Sequence, residues 1–331
     1  MSVVPLVSVI SAFYNRADRV AESLGSLLAQ DYPALEVIVV NDGSRDDTLV
    51  ELQKLRDPRL TIISRENCGF VASMNEAIAA SRGDFVAVHG AGDLSLPGRI
   101  AQQATVLLER PDISVVGCWV DNDETAGAGS RLFKAPRGLD FHATLLRRGL
   151  FTHGEVMFRR AHFDEVGGYR NFFRFAQDRD LWLRMSRLGG YEIVPKILYR
   201  RFKPEGGVSA DPEKLLLQSY LSDFAVQCAR IVDAGGCDPI EQHGHLAALL
   251  RTASPMLARK LAWFGARMMV EGKIEQGWSI VERAYGEHPS RQVRMIRTLA
   301  ALYDRPVLWT RIGRPLLARR LRQFRREHLV G

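Results

Sequence analysis

Gly83-Asp84-Phe85-Val86-Ala87-Val88-His89-Gly90-Ala91-Gly92-Asp93-Leu94-Ser95-Leu96-Pro97 is the stretch from which the rest of the chain can be read. Phe85 to Val88 is an apolar run too short for a helix and reads as a buried strand. It ends in small residues and one carboxylate, and Pro97 then opens a helix at its first turn. In an open α/β sheet ligands sit where strands end and loops turn outward, which makes Asp93 a site candidate. The plainer reading of Asp93 is a cap on the loop before that helix.

Working outward, Leu6 to Ala12 is a buried-strand pattern, and Leu35 to Val40 is a nearly continuous run of Leu, Val and Ile, as expected of a parallel strand covered on both faces. Between them Val20, Leu24, Leu27 and Leu28 mark a helix face. The second strand ends in Asn41-Asp42-Gly43-Ser44, with Asp46 or Asp47 placed to cap the next helix. Leu60 to Ile63 is a third strand, Glu66-Asn67-Cys68-Gly69 a turn, and Phe70 to Ala80 a helix. Ile113 to Trp119 is a fifth strand, and Val120 to Leu139 reads as a polar loop. Strand and helix alternate, so the expected class is α/β with a right-handed, mostly parallel sheet flanked by helices.

Polar residues gather where these strands end: Tyr14, Asn15, Asp42, Asn67 and Asp93. Each alone is an ordinary turn residue. Together they mark one rim of the sheet, which a purely structural account does not require. No G-x-G-x-x-G or G-x-x-x-x-G-K-[ST] occurs, so a bound nucleotide is held in another way. Further on, Phe141 to Leu150 reads as a short helix, and a strand leaves a turn at His153. Leu181, Trp182, Met185 and Leu188 form a helix face, which puts Asp178 and Asp180 at that helix's N-terminus. One of the two suffices as a cap, leaving the other free for chemistry.

The charge is unevenly placed. Eight arginines lie between Arg305 and Arg326 with no acid among them, and this segment accounts for the net charge of +7. The rest is close to neutral, which argues against a nucleic-acid-binding core. Four cysteines without metal or disulfide spacing point to a reducing cytoplasm. No signal segment is read at the N-terminus, and no apolar run approaches the ~20 residues that span a bilayer.

The chain resembles a family 2 glycosyltransferase of the GT-A fold. The resemblance is carried by VSVISAFYNR (Val7 to Arg16), VIVVNDGSRDDT (Val37 to Thr48) and ENCGFVASMNEAI (Glu66 to Ile78). GDFVAVHGAGDLSLPGRI (Gly83 to Ile100), VMFRRAHFDEVGGYR (Val156 to Arg170) and AQDRDLWLRM (Ala176 to Met185) complete it, in order and spacing. It implies an inverting transfer of a sugar from a nucleotide-diphospho donor to a hydroxyl of a glycan or lipid-linked acceptor, in surface polysaccharide biosynthesis. By the same analogy Tyr14, Asn15, Asp42, Asn67, Gly69 and Asn75 bind the nucleotide. Asp178 is the general base, and His153 and Gln177 face the acceptor. Asp93 and Arg200 serve the diphosphate, and Asp93 holds Mg²⁺ or Mn²⁺.

Two departures bear on that reading. The family usually writes Asp-x-Asp-Asp before the Leu-Pro segment, whereas this chain has Gly90-Ala91-Gly92-Asp93. A hard cation can take one or two protein carboxylates and complete its shell from phosphate and water, so Asp93 alone is expected to hold a metal only weakly. The family also carries Tyr-Arg-x-His, where this chain has Tyr199-Arg200-Arg201-Phe202. Arg200, Arg201 or Lys203 then supplies charge, against the plainer reading of a solvated basic loop. The loss of the acids suggests a second hypothesis, a non-catalytic nucleotide-sugar-binding or partner-binding scaffold. A nucleotidyltransferase is disfavoured, because Phe13-Tyr14-Asn15-Arg16 is not a Gly-rich basic loop.

The expected domains are residues 1–212, the transferase, and 213–331, a helical region. In the second, Leu215 to Val232 is an amphipathic helix, and Leu257 to Pro289 a tetratricopeptide-type hairpin broken at Gly272 and suited to docking or homodimerisation. The tail from Pro315 to Leu329 sets Leu317, Leu321 and Phe324 on one face with arginines around it. Such a helix can lie on an anionic membrane surface, here the inner face of the plasma membrane. The alternative packs the stripe on the protein itself.

Overall fold

The computed structural model describes residues 4–123, 130–202 and 211–329, with side chains described through Gln323. The chain divides into two compact units, Met1–Ala210 and Asp211–Gly331. The first is built on a nine-stranded mixed sheet. Its strands are β1 (Val7–Phe13), β2 (Leu35–Asp42), β3 (Leu60–Arg65), β4 (Phe85–Val88) and β5 (Leu94–Ser95), then β6 (Ile113–Asp123), β7 (Ser130–Phe133), β8 (Met157–Arg159) and β9 (Gly190–Phe202). The order across the sheet is β3-β2-β1-β4-β8-β6-β9-β5, with β7 on β6.

Strands β3, β2, β1 and β4 are parallel, with Phe13 opposite Asn41 and Asp42 opposite Arg65, so their carboxyl ends share one rim. Helices α1 (Val20–Leu28), α2 (Thr48–Lys54) and α3 (Phe70–Ala80) make the crossovers, as the alternation predicts. Val7, Val9, Val37 and Val39 are fully enclosed, which is what an apolar strand with helices on both faces requires.

The second half departs from the parallel expectation. Strand β8 runs antiparallel between β4 and β6, and β5 pairs antiparallel with β9. The segment read as a basic loop, Tyr199 to Phe202, is the end of β9, a 13-residue strand parallel to β6. Pro195 and Lys196 hide it: they lie in a bulge, where Cys118 opposes Val194 and Trp119 opposes Ile197. A proline is tolerated in a strand at such a point because no ladder hydrogen bond is asked of it. Val120–Leu139 is likewise not all loop, because β6 continues to Asp123 and pairs with β7. After Pro97, helix α4 (Arg99–Glu109) starts two residues later than the proline suggests, beyond Gly98 at φ 76°. Three short helices follow: α5 (Phe141–Leu145), α6 (Arg160–Glu165) and α7 (Gln177–Met185).

The second unit is helical, with α8 (Pro212–Asp233), α9 (Pro239–His243), α10 (Pro255–Val270), α11 (Ile274–Glu287), α12 (Arg291–Ala300), α13 (Pro306–Leu308) and α14 (Arg314–Leu329). The hairpin α10–α11 turns at Gly272, φ 94°. Gly265 and Gly277 let its helices touch, since a Cβ on either would lie 2.5 or 2.6 Å from the other's carbonyl oxygen. In α14 Leu317 is fully buried in this unit's core and Leu321 packs against it, while Arg319, Arg320 and Arg322 are exposed. The stripe that the sequence offered to a membrane therefore faces the protein, apart from Phe324, whose side chain lies outside the described residues. Among the described residues no helix is long and apolar enough to cross a membrane.

Candidate active site

Along the rim of the parallel strands the loops are locked to one another. Asp42, at the end of β2, accepts hydrogen bonds from the backbone amides of Cys68 and Gly69, both 2.9 Å, while Asn67 donates its amide to the Asp42 carbonyl at 2.8 Å. Gly43 lies at φ 68°, and a Cβ there would meet the Asn67 nitrogen at 2.5 Å, so only glycine fits between the two loops. Asn15, at φ 51°, accepts from the Arg45 amide at 2.8 Å and donates its own amide to Ser44 Oγ. Asp46, just before the N-cap of α2, accepts the Thr48 amide and also holds the Ala17 amide. Tyr14 projects from this framework with 45% of its surface exposed. Asn75 is placed differently from expectation. Its amide is clamped on the backbone of Tyr169, donating at 2.8 Å and accepting at 3.1 Å, so it positions the turn before α7.

Asp93 is also placed otherwise. The carboxylate folds back from the loop after β4, accepting the Tyr199 hydroxyl at 2.7 Å and the Phe202 amide at 2.9 Å, and only 7% of the residue is exposed. Burial pushes its carboxyl up to about 6, against the lowering effect of those two hydrogen bonds. Tyr199 fits because Gly90 and Gly154 lack side chains: a Cβ at Gly154 would lie 2.3 Å from its hydroxyl, and one at Gly90 2.3 Å from Asp93 Oδ2. His89, behind the loop, is enclosed between Ser23 Oγ (2.9 Å) and Ser95 Oγ (3.3 Å) and held neutral by burial, with its side chain down at about 3.

The implied divalent cation can be tested on this arrangement. Both Asp93 oxygens are engaged inside the fold, a side chain at Gly90 would displace them, and the Gly92 position is walled by Arg19. Among the described residues no three His, Cys, Asp or Glu side chains come together as ligands. The residues present do not fit a metal, and Asp93 is an anchor for the end of β9.

At α7 the two acids separate cleanly. Asp180, 2% exposed, is paired with Arg170 and with Arg184 at 2.8 Å. Asp178, half-buried, has no hydrogen-bond partner among the described residues. Its charge reaches His153 and Tyr169, whose side chains are hydrogen-bonded to each other at 2.8 Å. Burial holds His153 below the usual histidine range and lifts the Tyr169 hydroxyl well above its own. Phe70 packs edge-on against His153, and Trp182 lies beside it. Gln177, at the first turn, is half-buried. Arg200, 45% exposed at its side chain, is paired with Asp121 at 2.9 Å. Lys203 lies outside the described residues.

Backbone strain marks the same places. Among the described residues the non-glycine residues with positive φ are Asn15, His153 and Ala176, the last immediately before α7. Such conformations cost ~1–3 kcal/mol each and persist where the surroundings enforce them, commonly at functional sites.

The family model described as Glycosyl transferase family 2 matches residues 8–167. The putative glycosyltransferase EpsE of Bacillus subtilis is 32% identical over 199 residues, covering 57% of this chain and 70% of that protein. The chain belongs to glycosyltransferase family 2. An uncharacterized glycosyltransferase of Haemophilus influenzae is 31% identical over 212 residues, 59% of this chain and 65% of that protein. Similarity to a hyaluronan synthase of Pasteurella multocida is 28% over 200 residues, 60% of this chain but 20% of that one. The chain thus spans less than two thirds of several of its relatives. Among solved structures, Staphylococcus aureus TarS 1–349 in complex with UDP-GlcNAc superposes with a TM-score of 0.57 at 18% identity, covering 91% of this chain and 92% of that one. At that identity the likeness speaks for the fold, which is GT-A.

Several residues of this candidate site were not singled out as site residues in advance. Tyr169, Tyr199 and Trp182 border it through contacts with residues distant in sequence; the sequence shows them only as parts of the GGYR motif, the Tyr199–Phe202 segment and the Leu181–Leu188 helix face. Arg19 is another: its guanidinium donates to the Gly92 carbonyl through Nε (3.3 Å) and Nη2 (3.2 Å).

Proposed function

We propose that the chain is an inverting glycosyltransferase that moves a sugar from a nucleotide-diphospho-sugar to a hydroxyl of a glycan or lipid-linked acceptor, with Asp178 as general base. The observation that carries this is the contrast at α7. Of two acids at one helix start, Asp180 is neutralised by two arginines, and Asp178 has no hydrogen-bond partner among the described residues where the helix dipole favours negative charge. A carboxylate in that state can take a proton from an acceptor hydroxyl ~3 Å away. The hydroxyl oxygen then bonds to the anomeric carbon from the face opposite the donor's diphosphate. The carbon–oxygen bond to the diphosphate breaks, and the nucleoside diphosphate leaves with the electron pair. His153 and Gln177 border the acceptor side, and Tyr14, Asn15, Asp42, Asn67 and Gly69 the nucleotide side. The names of relatives, a hyaluronan synthase among them, support a polysaccharide product.

Transfer or hydrolysis from a panel of nucleotide-diphospho-sugars tests the reading. One donor should be turned over by the native chain, and Asp178→Asn should bind that donor without turning it over. A variant that still turns over removes Asp178 from the role. Binding of a donor with no turnover by the native chain favours the scaffold.

A further inference from the structure

The departing diphosphate needs positive charge beside it, and the acids that would bring a metal are missing or engaged. Two of the positions where this chain departs from the family pattern converge on one side chain. Gly92 stands in place of an acid, and Phe202 in place of the histidine. Gly92, at φ 93°, gives passage to Arg19, whose Cβ and Cγ would lie 3.1 and 3.3 Å from a Cβ there. Arg19 then donates twice to the Gly92 carbonyl and lays its guanidinium over the Phe202 ring, 4.0 Å from the centroid. An acid at 92 would need that space, and a histidine at 202 would put a ring that can take up a proton where Phe202 offers a permanently neutral face to the guanidinium.

The remaining edge of Arg19 is closed only by a surface pair. Nη1 meets Glu22 at 2.9 Å, with the two side chains 24% and 56% exposed. Such a pair is worth ~0–1 kcal/mol and is readily exchanged for a better anion. A diphosphate, which can accept two parallel N–H bonds from a guanidinium, is that better anion. Arg201 adds a second charge to the same neighbourhood, since its field acts on both Asp93 and His153.

We propose that the donor's diphosphate is neutralised by Arg19, assisted by Arg201, in place of a divalent cation, so that donor binding is metal-independent. The inference rests on the donor reading above. It is tested by calorimetric titration of the full chain with UDP, GDP, ADP and dTDP, and with the matching nucleosides, each in EDTA and in Mn²⁺. One nucleoside diphosphate should bind with about the same affinity in both conditions. Arg19→Gln should weaken that diphosphate about tenfold or more and leave the nucleoside nearly unaffected, with Arg19→Lys recovering part of the loss. A loop that had merely collapsed would weaken nucleoside and diphosphate alike, and that result would overturn the assignment. Binding that appears only with Mn²⁺, or an Arg19→Gln protein that binds the diphosphate normally, would also overturn it. Failure of every nucleotide to bind would instead remove the donor reading itself.

Discussion

Asp93 and Asp178 are both acids of the candidate site, and the fold treats them in opposite ways. Asp93 commits one oxygen to the Tyr199 hydroxyl and the other to the Phe202 amide, and burial lifts its carboxyl to about 6. Asp178 keeps its oxygens free of protein donors among the described residues and faces the His153–Tyr169 pair. The difference lies in what surrounds each acid rather than in the acid. Around Asp93, glycines at 90 and 154 let a tyrosine close in; around Asp178, the adjacent Asp180 has drawn off both arginines. A carboxylate is available for chemistry only where the fold has satisfied its neighbours by other means.

The contrast breaks first at Asp178. Asp178→Asn should lower transfer by ~10²- to 10⁴-fold, the usual contribution of a general base. Thermal unfolding should stay close to that of the native chain, because Asp178 makes no hydrogen bond among the described residues. A large loss of stability would mean that Asp178 is a structural cap after all. Asp180→Asn should behave in the reverse sense. It leaves Arg170 and Arg184 without their shared counter-charge at a site only 2% exposed, and a broken buried pair costs ~3–5 kcal/mol. Denaturant unfolding of the two variants side by side separates the roles.

His89 sharpens the other side of the comparison, the dryness behind the Asp93 loop. Its side chain is down at about 3 in the fold, chiefly through burial, with the Arg99 charge adding to the effect. Unfolded, it would titrate near ~6.5. The unfolded chain therefore binds the extra proton, so this contribution to stability is complete above ~6.5 and is lost as pH falls from there toward about 3. Acid unfolding followed by circular dichroism should show that loss, on the order of a few kcal/mol, and His89→Gln should remove this part of the slope. An unchanged acid profile in the variant would mean that water reaches the histidine.

How much of this was readable in the chain follows the same physical line. Strands β1, β2 and β4 stand out because each is a mainly apolar run that is almost wholly buried, β3 is a half-buried run beside them, and their ends name the rim directly. Strand β9 is hidden by the Pro195–Lys196 bulge, and β5, at two residues, is too short to leave a period. Within the site, the helix pattern offers two acids at one start and the family resemblance points to Asp178; Arg170 and Arg184 folding back onto Asp180 support the same choice from long-range packing. Asp93 looks like a ligand because the residue that engages it, Tyr199, lies 106 positions further on. Asn75 looks like a nucleotide contact for the same reason, its partner Tyr169 being 94 positions away. Local pattern reports which groups are offered, and long-range packing decides which are used.

The smallest expected effect probes that last decision. Tyr199→Phe removes one hydroxyl that accepts from the Gly90 amide at 2.8 Å and donates to Asp93 at 2.7 Å. Its loss leaves a buried carboxylate oxygen and a backbone N–H without this partner, which costs ~1–3 kcal/mol. The ring itself stays, with Arg99 still 4.7 Å from its centroid, so the fold should survive. Freed from the hydroxyl, one Asp93 oxygen can turn outward, and the variant should acquire a measurable response of nucleotide binding to Mn²⁺ that the native chain lacks. If Tyr199→Phe is destabilised yet stays indifferent to the cation, the glycines at 90 and 92 rather than the tyrosine are what keep the metal out.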